Sequence, residues 1–261
     1  FVSQNGGRSW RATELLLDDD TVSVLKASPT FSKDKTAWAA TESGVMYRSQ
    51  DGGRTWDQIA DQVGDGPING LWIHPDYAEN GRVVAAVGAE VWLSDDGGET
   101  WRAVQELPGA VLSLGGDAKA LLAGLHAYGA WISRDGGETW TDCSANLAAR
   151  GFAKLVPTQD ALYALGPQEG LWVSHDQGGE WAPVQGLQPF QALTDIVVGD
   201  ALLVASQGGG ILRGVDGTWA QVCDANDVQS LLSIQGTQEA WAGTAEGQLL
   251  RSQDGGETWE S

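Results

Sequence analysis

The sequence predicts an all-β propeller built from four-stranded antiparallel blades. Three observations carry that expectation: an eight-residue stretch recurs along the chain, its closing tryptophans fall at near-constant spacing, and each interval between copies holds three short apolar runs. Self-similarity at a fixed period fixes the architecture before any residue-level reading does.

The stretch reads SQNGGRSW at 3–10, SQDGGRTW at 49–56, SDDGGETW at 94–101, SRDGGETW at 133–140 and SQDGGETW at 252–259. A weaker SHDQGGEW occupies 174–181, and GVDGTW at 214–219 is two residues short. The closing residues Trp10, Trp56, Trp101, Trp140, Trp181, Trp219 and Trp259 are spaced by 46, 45, 39, 41, 38 and 40 positions. That period lies in the range of propeller blades. Asp followed by Gly-Gly suits a turn, because glycine accepts backbone angles closed to other residues and the carboxylate bonds the N–H groups that follow it. Asp51, Asp96, Asp135, Asp176 and Asp254 are therefore expected to be structural turn residues. The shortened sixth copy is expected to be the weakest turn.

The elements follow in a constant order. In the second unit, strand a is TVSVLKASP from Thr21, strand b is KTAWAAT from Lys35, strand c is GVMYRS from Gly44, and strand d, after the turn, is TWDQIA. Short apolar runs bounded by Gly, Asp, Pro and Ser are strand and hairpin signals. Two residues before each turn lie Phe1, Tyr47, Trp92, Trp131, Trp172, Leu212 and Leu250. One large apolar residue at a fixed place in each repeat predicts packing between blades. No helix and no interdomain linker is predicted, so residues 1–261 read as a single domain.

Seven c strands are present, but only six complete a–b–c sets. Seven blades of about 41 residues would need roughly 287, which leaves a shortfall near two strands. This favours seven blades, one lacking its a and b strands. The alternative is six blades, with the N-terminal d strand completing the last blade and the first box overhanging. Open blade edges invite unwanted pairing, so closure is expected.

The Ser-x-Asp-Gly-Gly-x-Thr-Trp pattern resembles the Asp-box (BNR) repeat of sialidases, xyloglucanases, sortilins and photosystem II assembly factors. The resemblance covers nearly the whole chain and implies the propeller fold. It also implies that boxes occupy one face and that ligands bind through the b–c and d–a loops of the other. It does not carry an activity, since function resides in sites grafted onto a fold. The arginine triad, Tyr–Glu pair and Arg-Ile-Pro motif of sialidases have no counterpart among the ten arginines and four tyrosines. A xyloglucanase-like site would need two carboxyl groups facing each other across a groove, and the loops here are short for an elaborate cleft. In size and loop economy the chain resembles the assembly factors, but without an obvious basic patch.

Composition narrows the partners. The formal net charge is −20, with 36 Gly and 13 Trp among 261 residues. Such acidity excludes sequence-independent nucleic-acid binding and docking on anionic lipid. No apolar run is long enough to insert into a membrane as a helix. Cys143 and Cys223 fall on blades that are not neighbours, so no bridge is expected between them. His74, His126 and His175 are scattered, and no metal or other cofactor is implied. Phe1 stands within a repeat, so localisation stays open, and a monomer is expected.

The candidate site is acidic. The b–c and d–a loops collect Asp18, Asp19, Asp20, Glu42, Asp61, Asp65, Glu90, Glu106, Glu169, Asp224, Asp227 and Glu246, against one clear cation, Arg150. The a–b loops instead hold Lys33, Lys35, Arg82 and Lys119. The expected function is a non-enzymatic binding or scaffold propeller whose acidic face, with Asp18, Asp19, Asp20, Glu42, Glu90, Glu169 and Glu246, docks a basic protein segment or a cation. The alternative is a carbohydrate-binding or glycoside-hydrolase-like propeller using Tyr128 and Trp131.

Overall fold

Each apolar run between boxes forms a strand, because alternating or continuous apolar residues can be covered only by pairing and stacking. The computed structural model describes residues 1–5, 7–15, 20–60, 63–147, 151–158, 160–166, 170–187, 192–234 and 237–261. The chain divides into two compact units, Phe1–Asp142 and Cys143–Ser261.

The first unit opens with an isolated antiparallel bridge, in which the Val2 N–H donates to the Arg11 carbonyl at 2.8 Å and the Arg11 N–H returns the bond at 3.0 Å. Three antiparallel four-stranded sheets follow. Blade one comprises β1 (Val22–Ala27), β2 (Ala37–Thr41), β3 (Met46–Ser49) and β4 (Asp57–Ala60). Blade two comprises β5 (Ile68–Ile73), β6 (Val83–Val87), β7 (Glu90–Ser94) and β8 (Arg102–Glu106). Blade three comprises β9 (Val111–Gly116), β10 (Leu121–Leu125), β11 (Gly129–Ser133) and β12 (Thr141–Asp142).

The second unit holds the other three sheets. Blade four is β13 (Lys154–Pro157), β14 (Leu162–Gly166), β15 (Gly170–Ser174) and β16 (Ala182–Pro183). Blade five is β17 (Leu193–Val198), β18 (Leu202–Ser206), β19 (Gly210–Val215) and β20 (Thr218–Cys223). Blade six has three strands, β21 (Val228–Ser233), β22 (Ala240–Thr244) and β23 (Leu249–Ser252), with an Arg251–Glu260 bridge in place of a fourth.

Among the described residues the blades thus number six, where the arithmetic of the repeats favoured seven with one incomplete. Among the described residues the first box contributes one strand pairing, the Val2–Arg11 bridge. Nor is Arg11 available to another blade on that edge, since it pairs with Val2 of its own segment. Two one-turn helices that the sequence did not reveal, α1 (Phe31–Asp34) and α2 (Tyr77–Asn80), occupy a–b loops. A single turn shows no helical periodicity, so sequence patterning could not announce them.

Strand b lies deepest. All five residues of β2, β6 and β10 are buried. Alanines such as Ala39, Ala40, Ala85 and Ala86 keep those strands thin where sheets converge. In the first unit, Trp38, Ala40 and Met46 of blade one pack with Leu71, Ile73 and Val83 of blade two. In the second, Leu203, Ala205 and Ile211 of blade five pack with Leu231 and Ala242 of blade six. Of the large residues before the boxes, Trp92 and Trp131 lie partly buried against core clusters and Leu250 is buried, whereas Phe1 is 85% exposed and packs against no blade. A register slip recurs near the start of strand a, at Val22/Val24, Ile68/Gly70, Leu193/Asp195 and Val228/Ser230. Such bulges sharpen local twist, which suits a strand that must follow the narrow side of a blade.

Candidate functional site

The two ends of each blade differ in chemistry. At one end sit the boxes. In the fourth, Ser133 Oγ donates to Asp135 Oδ1 at 2.8 Å and accepts the Gly137 N–H at 2.8 Å. Asp135 also accepts the Thr139 N–H at 2.9 Å and the Thr139 hydroxyl at 2.6 Å. The boxes of Asp51, Asp96 and Asp254 repeat this set. Donors aimed at a carboxylate favour its charged form. The Thr55 N–H chiefly holds Asp51 down to about 2, and the Thr258 hydroxyl chiefly does the same for Asp254. For Asp96 and Asp135 burial pushes upward, but the Thr and Ser donors outweigh it and both carboxyl groups are lowered. At the fifth box Glu180 replaces Thr, and Asp176 keeps the Glu180 N–H and the Ser174 hydroxyl, each at 2.8 Å, but loses the threonine hydroxyl.

Box glutamates and neighbouring arginines clamp successive blades on this side, a feature the sequence reading missed. Arg48 reaches Glu99 at 2.5 Å, and Arg82 holds Asp95 at 2.7 Å and Glu138 at 3.2 Å. Arg102 adds a 2.6 Å bond to Glu138. In the second unit Arg213 meets Glu257 at 3.3 Å. The cations expected in a–b loops lie here too: the Lys35 carbonyl accepts the Gly52 N–H of the second box at 2.9 Å.

At the opposite end, b–c turns and d–a loops are stitched together by backbone bonds. Val63 N–H donates to the Gly44 carbonyl, Leu107 to Ala89, and His126 to Ala110. Here the first unit gathers acid. Asp20 accepts the Ser43 hydroxyl and the Thr21 N–H, the latter at 2.8 Å, while the Glu42 N–H donates to the Thr21 carbonyl at 3.0 Å. Asp20, just before β1, is therefore held against the β2–β3 turn that carries Glu42. The Ser43 bond is the main reason the Asp20 carboxyl is lowered, so it stays charged. In blade two, Glu90 stands directly across from Glu106, and its Oε2 accepts the Trp92 indole N–H at 2.9 Å. Among the described residues of this unit, no Lys or Arg falls in a b–c or d–a loop.

Glu246 is exposed in the β22–β23 turn of the second unit. Asp18, Asp19 and Glu169, like Asp61 and Arg150, lie outside the described residues. Tyr128 is exposed on the β10–β11 turn, whereas Trp131 packs against a core cluster. Another buried charge escaped the sequence reading. Asp195 on β17 pairs with Lys154 on β13 and accepts the Leu231 N–H of β21 at 2.7 Å, tying three blades of the second unit together. Among the described residues no group of three or more His, Cys, Asp or Glu gathers as metal ligands.

The box geometry identifies the repeat. Residues 92–103 and 131–142 match the BNR/Asp-box repeat model. The chain carries BNR/Asp-box repeats. Solved structures of the same BNR-type propeller fold include the GH74 xyloglucanase from Xanthomonas campestris, at 20% identity and a TM-score of 0.75. That match covers 92% of this chain and 45% of the xyloglucanase chain, so the present chain spans less than half of that enzyme. YCF48 bound to D1 peptide matches at 16% identity with a TM-score of 0.71, covering 95% of this chain and 87% of that one. A GH74 enzyme from Niastella koreensis matches at 18% identity and a TM-score of 0.67, covering 92% and 37%. At these identities the likeness shows the fold. Among curated proteins none matches in sequence. No helix among the described residues is long and apolar enough to cross a membrane.

Proposed function

We propose that this BNR-type propeller is a non-enzymatic docking platform that uses its box-free end to bind a basic, extended protein segment. The observation that carries the reading is the segregation of charge in the first unit. Arg48, Arg82 and Arg102 are spent on clamps at the box end, whereas Asp20, Glu42, Glu90 and Glu106 share the other end without a described Lys or Arg in its loops. Like-signed carboxylates on one surface sum their fields, attract cations and speed their encounter. YCF48, a propeller of similar fold and length, is known in complex with a peptide, which supports a peptide ligand here. The same role, attraction of a basic segment, is proposed for Asp18 and Asp19 and, within the second unit, for Glu169 and Glu246. The partner binds one copy of the chain. Seven-fold blade order also belongs to this reading, the first box marking the seventh position.

A glycan-binding role would use exposed Tyr128, but Trp131 is taken up by the core, which leaves too little aromatic platform on this turn. The test is the association rate of an oligolysine peptide across a salt series, for the parent and for Glu42→Gln/Glu90→Gln/Glu106→Gln. The substitutions keep side-chain shape and remove three charges, so the variant should associate several-fold more slowly with a shallower salt dependence. Coincident salt curves would overturn the docking role.

A further inference from the structure

Three blades place an aromatic ring of strand b opposite the residue that precedes the box. Trp38 pairs with Arg48 in blade one, Trp241 with Arg251 in blade six and Tyr163 with Val173 in blade four. The Arg251 guanidinium lies over the Trp241 ring, 5.2 Å from its centroid. Arg48 reaches the next box, where it donates to the Gly97 carbonyl at 3.3 Å and pairs with Glu99. Arg213, at the same place in blade five, donates to the Gly255 carbonyl at 3.1 Å and pairs with Glu257. Blade four has the ring but not the arginine. Ala161 also stands where blade two carries its clamp residue Arg82, each just before the strand b residue that pairs with the box serine.

The box of blade five differs in the matching way. The sixth copy is two residues short and has no counterpart of Glu99 or Glu257. It keeps the glycine after its aspartate, Gly217, which corresponds to Gly97 and Gly255. Its aspartate is also released from the turn. Asp51, Asp96, Asp135 and Asp254 each accept a serine and a threonine hydroxyl. Among the described residues no side chain bonds the Asp216 carboxylate. A pocket of about 480 Å³ opens between blades four and five, and Tyr163, Val173, Asp200, Asp216, Gly217 and Trp219 help to line it. Tyr163 and Trp219 are partly buried against the core cluster of Leu165 and Ile196, which holds both rings in place. Among the described residues no Lys or Arg lines this pocket.

We propose that the pocket binds the side chain of an arginine from a partner protein, which takes the place that the chain's own Arg48 and Arg213 hold beside other boxes. An aromatic face attracts a cation. A planar guanidinium can divide its donors between a carboxylate and a carbonyl, whereas an ammonium is a more strongly hydrated point charge. Tyr163 and Trp219 supply the rings, Asp216 the carboxylate that replaces the box glutamate, and Gly217 the carbonyl. The site lies among the c–d turns of the second unit and uses none of the acidic b–c and d–a loops, so it stands or falls apart from the docking role above.

N-acetyl-arginine amide is the probe, titrated calorimetrically at about 0.15 M salt, where long-range attraction to an acidic chain is screened. It should bind saturably at one per chain, about tenfold more tightly than N-acetyl-lysine amide. Asp216→Asn should weaken binding about tenfold. The turn should survive that change, because Asn tolerates the left-handed backbone found at Asp216. Val173→Arg supplies the arginine from within the chain and should abolish binding. Glu42→Gln/Glu90→Gln/Glu106→Gln should bind the probe as the parent does. Absence of saturable binding overturns the proposal, as does equal affinity for the two amides or for the parent and Asp216→Asn. Loss of binding in the triple variant would overturn it too, by moving the contact to the acidic loops. The peptide Gly-Gly-Arg-Gly-Gly should bind at least as tightly as free arginine, and a clear preference for the free amino acid would overturn the assignment to a partner protein.

Discussion

The fourth and sixth c–d turns solve one problem by different means. At 133–140 the chain makes a wide turn held by side chains: Ser133, Asp135 and Thr139 exchange three bonds, Ser133 Oγ accepts a fourth from the Gly137 N–H, and Trp140 Nε1 closes on the Gly137 carbonyl at 3.1 Å. The outer strand that follows, β12, is two residues long. At 214–219 the turn has two central residues, Asp216 at φ 49° and Gly217 at φ 75°, between the paired Val215 and Thr218. Two successive left-handed residues match the twist of a tight hairpin. Its outer strand, β20, runs for six residues with five register pairs. The Trp219 ring lies over Gly214, where a Cβ would meet it at 2.8 Å, which explains why the box serine is absent there. Local side-chain bonding and ladder bonding are thus interchangeable ways to satisfy a turn. The shortened copy, expected from sequence to be the weakest turn, has exchanged the first for the second.

The largest expected difference lies in the closing tryptophans. Trp140 is 4% exposed and belongs to the core of the first unit, whereas Trp219 is half-buried and bonds the Gln185 carbonyl. Trp140→Ala should cost about 3–5 kcal/mol by cavity formation, and Trp219→Ala less than half as much, measured by denaturant melts. Equal losses would mean that the two turns depend on their tryptophans alike.

Acid comes next, because five box carboxylates act together. Their folded-state carboxyls lie below the ordinary 3.8, near 2 for Asp51 and Asp254. The stability they supply is complete above the unfolded value and is lost as pH falls from about 5 toward about 2. Hydrogen exchange in that window should quicken at 133–140 before 214–219, whose turn has no such set of donors around its aspartate. The reverse order would show that the ladder is the more acid-sensitive device.

A single box tests the same point. Asp135→Ala should cost about 1–2 kcal/mol, as loss of a capping carboxylate does, and Asp216→Gly should stay within about 0.5 kcal/mol. An unchanged melting midpoint for Asp135→Ala, with ligand binding lost, would make the box a binding site. The smallest effect belongs to the fifth box, where Gln177 occupies the first glycine position at φ 61°. Gln177→Gly should stabilise by up to about 1 kcal/mol, since a side chain in the left-handed region costs that order. No gain in Tm would mean that the native contacts of Gln177 offset the strain.

Much of this was legible in the sequence because it is local. The boxes, the strand order and the burial of Trp92 and Trp131 all follow from patterns within a few residues. The interblade clamps were hidden, since Arg82 and Glu138 are 56 positions apart and nothing in either neighbourhood names the other. Asp195 left a faint signal, a carboxylate inside the apolar run of β17, but its partners on β13 and β21 are known only once the blades stack. Blade number was legible only in part. Counting turns counts c–d pairs, and the first pair closes without an a–b hairpin. The acidic end was half legible: the loops holding Asp20 and Glu42 could be placed, but not the Ser43 bond that joins them.

The reach of the box bonds bears on the order of folding. Within each complete box the Ser, Asp and Thr side chains bond groups no more than four positions away, so a c–d hairpin can close on its own, on the ~1–10 μs scale of such elements. Contacts between blades join residues some 35 to 60 positions apart, as in the Gln105–Trp140 and Trp38–Gly97 bonds. Closing loops of that length is the slower step. Finished turns should therefore be present in the chain before any two blades meet, each carrying its tryptophan ready for the layer it will enter.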